Sequence, residues 1–306
     1  LNDYDELVVW SSDPFDEDTD GGGIPDGSEV EFGLHPLNSM DELDDLDGDG
    51  VPVLYEYVYA TSPTNHLSYP DPTFVLTNEA ISVAAAISNA VGACTNGYPI
   101  LKFLPGLYTN AADRNLEVSA SNILIYADSV AGGGGAIIDC GAEGRAFDLT
   151  SGNPVVHGLR IQNGGGGIAT NGGAIRINEA VERVRLSALI IEECHVTGTG
   201  GGIHAGSLAT VFDNCVIHNC SADEGGGGLY AREGSPLIRH CTIINNQTDG
   251  AGGGVYSLHG RIINSIVWDN RAFFDDGGDV FGVPDMTNCC IGTGAFSGEY
   301  ISADPE

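Results

Sequence analysis

Beyond residue 100, short apolar runs alternate with glycine and asparagine. Runs this short, interrupted this regularly, predict many brief strands joined by tight turns rather than long helices. A motif of three glycines and one apolar residue occurs three times at a step of 26 residues, with a weaker copy on either side. The copies are Gly172-Gly173-Ala174-Ile175, Gly200-Gly201-Gly202-Ile203, Gly226-Gly227-Gly228-Leu229, Gly252-Gly253-Gly254-Val255 and Gly277-Gly278-Asp279-Val280.

A second apolar pattern lies half a period after each clear glycine motif. Its copies are Cys215-Val216-Ile217, Cys241-Thr242-Ile243 and Ser265-Ile266-Val267. A unit of this length cannot bury its own apolar side, whereas stacked units can. We therefore expect a β-solenoid with one unit per coil and equivalent residues about 4.8 Å apart in successive coils. The first residues of the three copies then form one inward ladder, and Asn246 and Asn270 form another.

The Gly-Gly-Gly-apolar and Asn-Cys-x-Ile patterns resemble those of the pectin-lyase-like superfamily, including bacterial surface repeats of the polymorphic outer-membrane-protein kind. The resemblance covers residues 74–306. It implies an all-β fold, a right-handed parallel β-helix with coils of about 26 residues. Lyases, hydrolases, epimerases, tail spikes and adhesins share this fold, so the resemblance does not identify an activity.

Both ends of such a β-helix must be covered, because an open coil presents an unpaired strand edge. Residues 78–90 predict a short amphipathic helix with Asn78 as its N-cap, which would close the first coil. The run from Ile100 to Tyr108 resembles the first strands of this superfamily. No equivalent cap is predicted after Ser302, so we expect the β-helix to be incomplete at its C-terminus.

The N-terminal part of the chain carries a different pattern, an acidic loop in a 12-residue frame. Asp45, Asp47 and Asp49 stand at positions 1, 3 and 5 of this frame, a glycine stands at position 6, and Glu56 stands at position 12. These are the positions from which oxygen ligands reach a calcium ion. The frame also predicts the Val51 carbonyl as the backbone ligand at position 7.

An earlier loop has the same frame. Its predicted ligands are the side chains at positions 1, 3, 9 and 12 and the carbonyl at position 7: Asp18, Asp20, Asp26, Glu29 and Ile24. Position 5 holds Gly22, which has no carboxylate. We expect Asp16, two residues before the loop, to supply the missing ligand.

A third copy is cut by the start of the sequence. Asp3 and Glu6 repeat the offset between Asp26 and Glu29, so Leu1 would stand at position 7 and the pair would complete a third site. The period of about 25 residues, the acidic loops and the proline-containing tails resemble bacterial thrombospondin type 3 repeats. This resemblance implies a calcium-loaded, rod-like or linker module with little hydrophobic core, and calcium as the cofactor.

Charge separates the same two regions. The formal net charge is −32, yet residues 1–72 contain 19 acidic residues and no lysine or arginine, and the first basic residue is Lys102. We predict two domains, thrombospondin type 3-like repeats at 1–70 and the β-helix at 71–306. Because phosphate binding needs basic patches that are missing here, we expect neither nucleic-acid binding nor direct membrane insertion.

Calcium loops suit a calcium-rich environment, so we expect an exported bacterial protein, extracellular or at the cell surface. No apolar run is long enough to span a membrane and no signal peptide is seen, so we interpret the chain as the mature part of a longer protein. Export permits disulfides among the eight cysteines, but their spacing does not reveal a pairing.

No residue is assigned a catalytic role. The arginines of the coils, such as Arg160 and Arg176, match no lyase motif that we recognise. Hydrolases need carboxylates that converge on one bond, whereas the only adjacent aspartates of the coils, Asp275 and Asp276, would point to opposite faces of a strand.

We therefore expect a non-catalytic, calcium-stabilised structural or adhesive protein: a surface stalk, matrix or filament component. The alternative is a polysaccharide lyase or glycoside hydrolase acting on acidic or neutral polysaccharide. Tyr230 and Tyr256 lie one period apart and should stack, either as a platform for sugars or as support for the sheet. The expected partners are calcium, copies of the chain itself, other surface proteins and glycans.

Overall fold

The computed structural model describes residues 1–77, 82–109, 114–127, 135–167, 169–273, 277–282 and 284–292, and the backbone of 297–301. The chain forms two compact units, Leu1–Pro72 and Thr73–Glu306. Among the described residues, no helix is both long enough and apolar enough to cross a membrane.

Short helices between irregular loops make up the first unit. Its elements are a π-helix at Asp5–Trp10, helix α1 at Asp26–Phe32, a 3₁₀ turn at Asp41–Leu43 and helix α2 at Val53–Tyr59. Helices α1 and α2 each follow directly on a proline, Pro25 or Pro52, in an extended conformation. Each ends at a left-handed residue, Gly33 with φ 84° or Ala60 with φ 56°, which turns the chain away from the helix axis.

The second unit is a stack of coils whose strands pair in parallel with the equivalent strands of the neighbouring coils. In the described part of the unit, three sheets run along the stack, with 17, 7 and 4 strands. The largest sheet takes two successive strands from most coils. A left-handed residue such as Asn214 (φ 51°) separates these two strands and makes a corner of the coil.

The strands of the largest sheet are Phe74–Leu76, Ile100–Phe103, Gly106–Tyr108, Asn122–Ala127, Ala136–Asp139, Asn153–His157, Arg160–Gln162, Arg183–Ser187, Ile190–Glu192, Ala209–Asp213, Val216–His218, Leu237–Arg239, Thr242–Ile244, Arg261–Ile263, Ile266–Trp268, Asp285–Ile291 and Ser297–Ile301. Those of the seven-stranded sheet are Leu116–Val118, Phe147–Leu149, Ile175–Ile177, Ile203–Ala205, Leu229–Ala231, Val255–Ser257 and Val280–Phe281. Those of the four-stranded sheet are His195–Val196, Ser221–Ala222, Gln247–Thr248 and Arg271–Ala272.

Each glycine motif leads into a strand of the seven-stranded sheet, as predicted. The strands begin at the apolar residue of each motif: Ile175, Ile203, Leu229, Val255 and Val280. Gly200 adopts a φ of 70°, and a Cβ on Gly201 would lie 2.2 Å from the carbonyl oxygen of Gly227 in the next coil. The first glycine of the motif is therefore required for a left-handed turn, and the second for the close contact with the next coil.

The interior of the β-helix is built from ladders of equivalent residues. One aliphatic ladder, buried to 1% exposure or less, consists of Ile161, Ile191, Ile217, Ile243, Val267 and Ile291. Burying a side chain of this kind contributes about 1.5–3 kcal/mol. A single coil has no second layer to cover this face, so its stability comes from its neighbours.

Two polar ladders lie inside the same stack, as predicted. The Cys241 N–H donates to the Ser265 hydroxyl at 3.0 Å, and both residues are buried. The Asn246 side-chain amide donates to the Asn270 side-chain oxygen at 3.0 Å. Asp279 closes this second ladder, because its Oδ1 accepts from the Asn270 side-chain amide at 2.8 Å.

A helix covers the first coil, but it begins later than predicted. It spans Val83–Ala93 and packs against strands Phe74–Leu76 and Ile100–Phe103. The Ser82 hydroxyl accepts from the Ala85 N–H at 3.3 Å and is the N-cap. The predicted N-cap, Asn78, lies outside the described residues.

Candidate metal centres

The loop from Asp45 to Glu56 gathers its aspartates around one point. Asp45, Asp47 and Asp49 each offer an oxygen within 4.8 Å of the others. Backbone donors orient these carboxylates: the Asp49 N–H donates to Asp47 Oδ1 at 3.2 Å, and the Val51 N–H donates to Asp49 Oδ1 at 2.8 Å. The loop thus fixes one oxygen of each of these two carboxylates and leaves the other for a ligand.

The carboxylate oxygens of this loop that have no backbone donor are buried. Asp47 Oδ2, Asp49 Oδ2 and Glu56 Oε2 accept no hydrogen bond, and Glu56, held by α2, is fully buried. Burial, and then the charges of the three loop aspartates, raise the pKa of Glu56 to about 8. Burial also raises the pKa of Asp49 to about 6. Neighbouring carboxylates that each keep one buried oxygen without a donor require a cation to remain ionised.

The earlier loop has the same backbone frame. The Gly22 N–H donates to Asp20 Oδ1 at 2.8 Å, and the Gly23 N–H donates to Asp18 Oδ2 at 3.0 Å. In place of a position-5 aspartate, Glu42 of the 3₁₀ turn reaches in from the following repeat. Oxygens of Asp18, Asp20 and Glu42 lie within 4.8 Å of one another. The sequence frame missed Glu42 because it lies outside the 12 residues of the loop.

Glu29 is the counterpart of Glu56 in this earlier loop. It lies in α1, is fully buried, and neither of its carboxylate oxygens accepts a hydrogen bond. Burial first, then the charges of Asp20 and Glu42, raise the pKa of Glu29 to about 8. The carboxylate therefore belongs electrostatically to the same cluster as the loop aspartates.

Two predicted ligands of the earlier loop have other contacts. Asp26 is buried, and both of its oxygens accept from Thr19: Oδ1 from the N–H and Oδ2 from the hydroxyl, each at 2.8 Å. Asp16 is exposed, and its Oδ1 accepts from the Asp18 N–H at 3.3 Å. The carboxylate that joins Asp18 and Asp20 is that of Glu42, so Asp16 is not brought into this group.

The predicted third copy retains the helical end of the repeat. The Ser11 N–H donates to the Glu6 carbonyl, as the Gly33 N–H donates to the Glu29 carbonyl. Asp3 is exposed and Glu6 is half-buried. Within the described residues, neither belongs to a group of acids at metal-binding distance.

The two complete loops have the donor set of a hard cation. The side chains predicted as their ligands are all carboxylates, and Ile24 and Val51, whose carbonyls are predicted as backbone ligands, are buried at position 7 of each frame. Lysine and arginine do not occur in residues 1–72, so no such side chain of this unit neutralises the buried acids. Oxygen ligands without nitrogen or sulfur fit calcium better than zinc.

Asp213, an acid of the β-helix, differs from the loop carboxylates because it is ion-paired. Asp213 Oδ2 accepts from Arg185 at 2.6 Å and from Arg239 at 3.0 Å, and Asp213 Oδ1 lies 3.0 Å from His240 Nδ1. Although burial raises the pKa of Asp213, the His240 hydrogen bond and the two arginines bring it below its ordinary value. A carboxyl with a lowered pKa does not donate a proton near neutral pH.

Glu192 and Asp139 also have partners, Glu192 in an ion pair and Asp139 through neutral amides. Glu192, which is buried, accepts from Arg160 Nε at 2.5 Å and lies 3.0 Å from His218 Nε2. Asp139 accepts from the side-chain amides of Gln162 and Asn163 at 2.9 and 3.0 Å. Asp275 and Asp276 lie outside the described residues.

A column of rings runs along the seven-stranded sheet, and the predicted stacking of Tyr230 and Tyr256 is confirmed. The ring centroids lie 5.2 Å apart for His204 and Tyr230, 4.7 Å for Tyr230 and Tyr256, and 4.9 Å for Tyr256 and Phe281. Rings at these distances cover one another's faces. A sugar stacks on a ring face, so the inner rings of the column are closed to it.

None of the eight cysteines forms a disulfide. Cys94 and Cys290 are partly exposed. The others are buried inside the coils: Cys140, Cys194, Cys215, Cys220, Cys241 and Cys289. Burial raises the pKa of the Cys140 thiol, so this side chain is a neutral packing residue.

Comparison with solved structures returns pectin methylesterases. One, in complex with a hexasaccharide, is 13% identical, with a TM-score of 0.47 over 75% of this chain and 81% of that one. The enzyme PemA from Erwinia chrysanthemi is 11% identical, with a TM-score of 0.46 over the same shares of the two chains. The Escherichia coli protein YbhC is 14% identical, with a TM-score of 0.48 over 88% of this chain and 81% of that one. No curated protein matches the sequence.

The family assignment rests on the sequence of the coils. The model of the right-handed β-helix region matches residues 149–302, half of the chain, and the described residues of this stretch form the parallel coils described above. The predicted all-β fold of this region, a right-handed parallel β-helix, is thereby confirmed. The chain belongs to the right-handed β-helix family.

Proposed function

We propose that this protein is a calcium-stabilised structural or adhesive protein of the bacterial cell surface or extracellular space. Residues 1–70 would form a thrombospondin type 3-like calcium module, and the β-helix would supply the surface that partners contact. The observation that carries the proposal is the burial of Glu29 and Glu56 against aspartate clusters in a unit without lysine or arginine.

A divalent cation at each loop would offset both the desolvation of these carboxylates and their mutual repulsion. In the later loop, the proposed ligands are the side chains of Asp45, Asp47, Asp49 and Glu56 and the carbonyl of Val51. In the earlier loop, they include the side chains of Asp18, Asp20 and Glu29 and the carbonyl of Ile24. When bound, the ion would supply stability rather than chemistry. Export follows in this proposal from the calcium levels that such loops need.

For the β-helix we propose a non-catalytic role. A general acid needs a raised pKa, whereas ion pairs and hydrogen bonds hold the pKa of Asp213 below its ordinary value. Glu192 is bracketed by Arg160 and His218. These contacts stabilise the outer face of the stack and leave its surface available for contacts with other proteins, glycans or further copies.

Calcium titration of the full chain tests the first part of the proposal. After removal of metal, isothermal titration calorimetry should show calcium binding that the same concentration of magnesium does not reproduce. Chelation should open residues 1–66 to protease while the β-helix stays resistant, and added calcium should restore protection. An N-terminal unit that remains protease-resistant in chelator would contradict the proposal.

An enzyme assay tests the second part. The purified protein would be incubated with pectin and polygalacturonate, with and without calcium, and unsaturated and reducing ends would be measured. We expect no release above the buffer blank. Release that scales with protein concentration would replace the non-catalytic role with the lyase or hydrolase alternative.

A further inference from the structure

The earlier acidic loop lacks a carboxylate at position 5, and the fold supplies one from elsewhere. A Cβ on Gly22 would lie 2.1 Å from Glu42 Oε2 and 2.3 Å from Glu42 Oε1. The space in which a position-5 side chain would begin is therefore filled by the carboxylate of Glu42. Gly22 adopts no left-handed backbone, so its lack of a side chain makes room for Glu42 and is not needed for a turn.

The hydrogen bonds of the two loops show that this carboxylate has the position-5 role. In the later loop, the position-7 N–H of Val51 donates to Asp49 Oδ1 at 2.8 Å. In the earlier loop, the position-7 N–H of Ile24 donates to Glu42 Oε1, also at 2.8 Å. Asp49 belongs to its own loop, whereas Glu42 comes from the next repeat. Each nevertheless accepts from the backbone N–H at position 7 of the loop.

The surroundings of Glu42 point to a cation. Glu42 is fully buried, and its oxygens join those of Asp18 and Asp20 within 4.8 Å. Glu29, also fully buried, has two carboxylate oxygens that accept no hydrogen bond. Three carboxylates within 4.8 Å of one another, one of them fully buried, would repel one another strongly without a positive charge among them.

We propose that Glu42 is a ligand of the ion held by the earlier loop, donated across the repeat boundary in place of the carboxylate that Gly22 lacks. This inference rests on the proposed calcium binding. The ion is then held by two repeats at once, because Asp18, Asp20 and Glu29 come from one and Glu42 from the next. The earlier site is completed only when the 3₁₀ turn at Asp41–Leu43 is folded.

Calorimetric titration of the full chain with calcium tests the assignment. Glu42→Gln keeps the size of the side chain and removes its charge. It should weaken one class of calcium site at least about ten-fold and leave the remaining sites unchanged. Glu31→Gln, which removes an exposed acid of α1, is the matched control and should bind as the wild type does. Asp49→Asn, the equivalent change in the later loop, should weaken the other site.

A swap of the carboxylate provides the second test. Gly22→Asp alone should weaken calcium binding, because the new side chain collides with Glu42. In a Glu42→Ala background, Gly22→Asp should regain affinity, because it restores the local ligand at position 5. Circular dichroism and the retained later site would show that each variant is folded.

The outcomes separate the two proposals. A wild-type chain that takes up no calcium removes the proposed function and this inference with it. If Asp49→Asn loses affinity while Glu42→Gln titrates as the wild type does, calcium binding stands and the role of Glu42 is overturned. If Gly22→Asp fails to restore binding in the Glu42→Ala background, the replacement of the position-5 ligand is overturned.

Discussion

Asn270 accepts two hydrogen bonds from Asn246 at a single oxygen. Its Oδ1 lies 2.8 Å from the Asn246 backbone nitrogen and 3.0 Å from the Asn246 side-chain nitrogen. Both residues are buried in consecutive coils. The Asn270 side chain also donates to the Ile243 carbonyl at 2.9 Å. One amide therefore satisfies the Asn246 N–H, which lies outside the strands, and adds a hydrogen bond to the Ile243 carbonyl of the neighbouring coil.

Asn270→Ala should therefore destabilise the β-helix. The change leaves the buried Asn246 N–H without its acceptor, at a cost of about 1–3 kcal/mol for an unsatisfied buried group. Urea unfolding followed by far-ultraviolet circular dichroism would measure the loss. Gln247→Ala removes an exposed amide one residue beyond Asn246 and should change stability by less than about 0.5 kcal/mol. Equal effects of the two variants would contradict the role assigned to the ladder.

The coils were predictable because their signal repeats. A glycine that must adopt positive φ and another that must admit the next backbone recur at each coil, so the strands of the seven-stranded sheet could be placed from Gly200 and its equivalents. The start of the capping helix could not be placed as well. Asn78 and Ser82 are both good N-caps, and burial of Val83 and Ala86 against the first coil favours the later start.

The position of Glu42 beside the earlier loop could not be predicted from the sequence repeat. By the repeat offset, its counterpart in the earlier repeat is Phe15, whose side chain is 99% exposed, so no periodic pattern marks the position. The expected substitute, Asp16, lies two residues before the loop, whereas Glu42 is brought to Gly22 by the 3₁₀ turn of the next repeat. Two features of the sequence could have pointed to Glu42. One is the missing carboxylate at Gly22, and the other is that Glu42 is an acid outside both 12-residue frames.

Asp213 provides a prediction about charge in the β-helix. Asp213→Asn removes the negative charge that Arg185 and Arg239 share across coils, and should cost about 1.5–3 kcal/mol, the range for a hydrogen bond to a charged group. Because the folded pKa of Asp213 is lowered, its contribution is present above the ordinary value of 3.8 and is lost as the pH falls through the folded value.

Urea unfolding at pH 7 and pH 3 would test this prediction. The difference between the wild type and Asp213→Asn should shrink at the lower pH. Asp223→Asn, which changes an exposed aspartate of the same coil region, is the matched control and should have little effect at either pH. A difference that stays constant between the two pH values would show that packing, not charge, explains the loss.

The cysteines provide a prediction about oxidation. Export would expose the chain to oxidising conditions, yet none of the eight cysteines is in a disulfide in the fold. Under native conditions a thiol reagent should label Cys94 and Cys290 first, while the buried cysteines react only on unfolding. Mass spectrometry of the alkylated protein, with and without urea, would measure this. A disulfide found between two of the buried cysteines would contradict the structure of the coils.

The raised pKa values of the two buried glutamates lead to two pH dependences of opposite sign. One is that of the stability of the metal-free first unit, and the other is that of its calcium affinity. In the metal-free protein, burial and neighbouring charges raise the pKa of Glu29 and of Glu56 from 4.5 to about 8. The folded first unit then binds more protons than the unfolded chain between these values. Its free energy of unfolding should be highest below pH 4.5 and should fall as the pH rises towards 8. Calcium must displace these protons, so its apparent affinity should rise over the same interval.

Calorimetry at pH 5.5 and pH 7.5, in two buffers with different ionisation enthalpies, would measure both the affinity and the protons released. Glu56→Gln removes one of the titrating groups and should reduce the proton release at the later loop, whereas Glu31→Gln should leave it unchanged. Pulse proteolysis in chelator over the same pH range would report the stability of residues 1–72. Calcium binding that releases no proton at pH 5.5 would mean that the glutamates are already ionised in the folded protein. Their burial would then have to be balanced by a positive charge other than the ion.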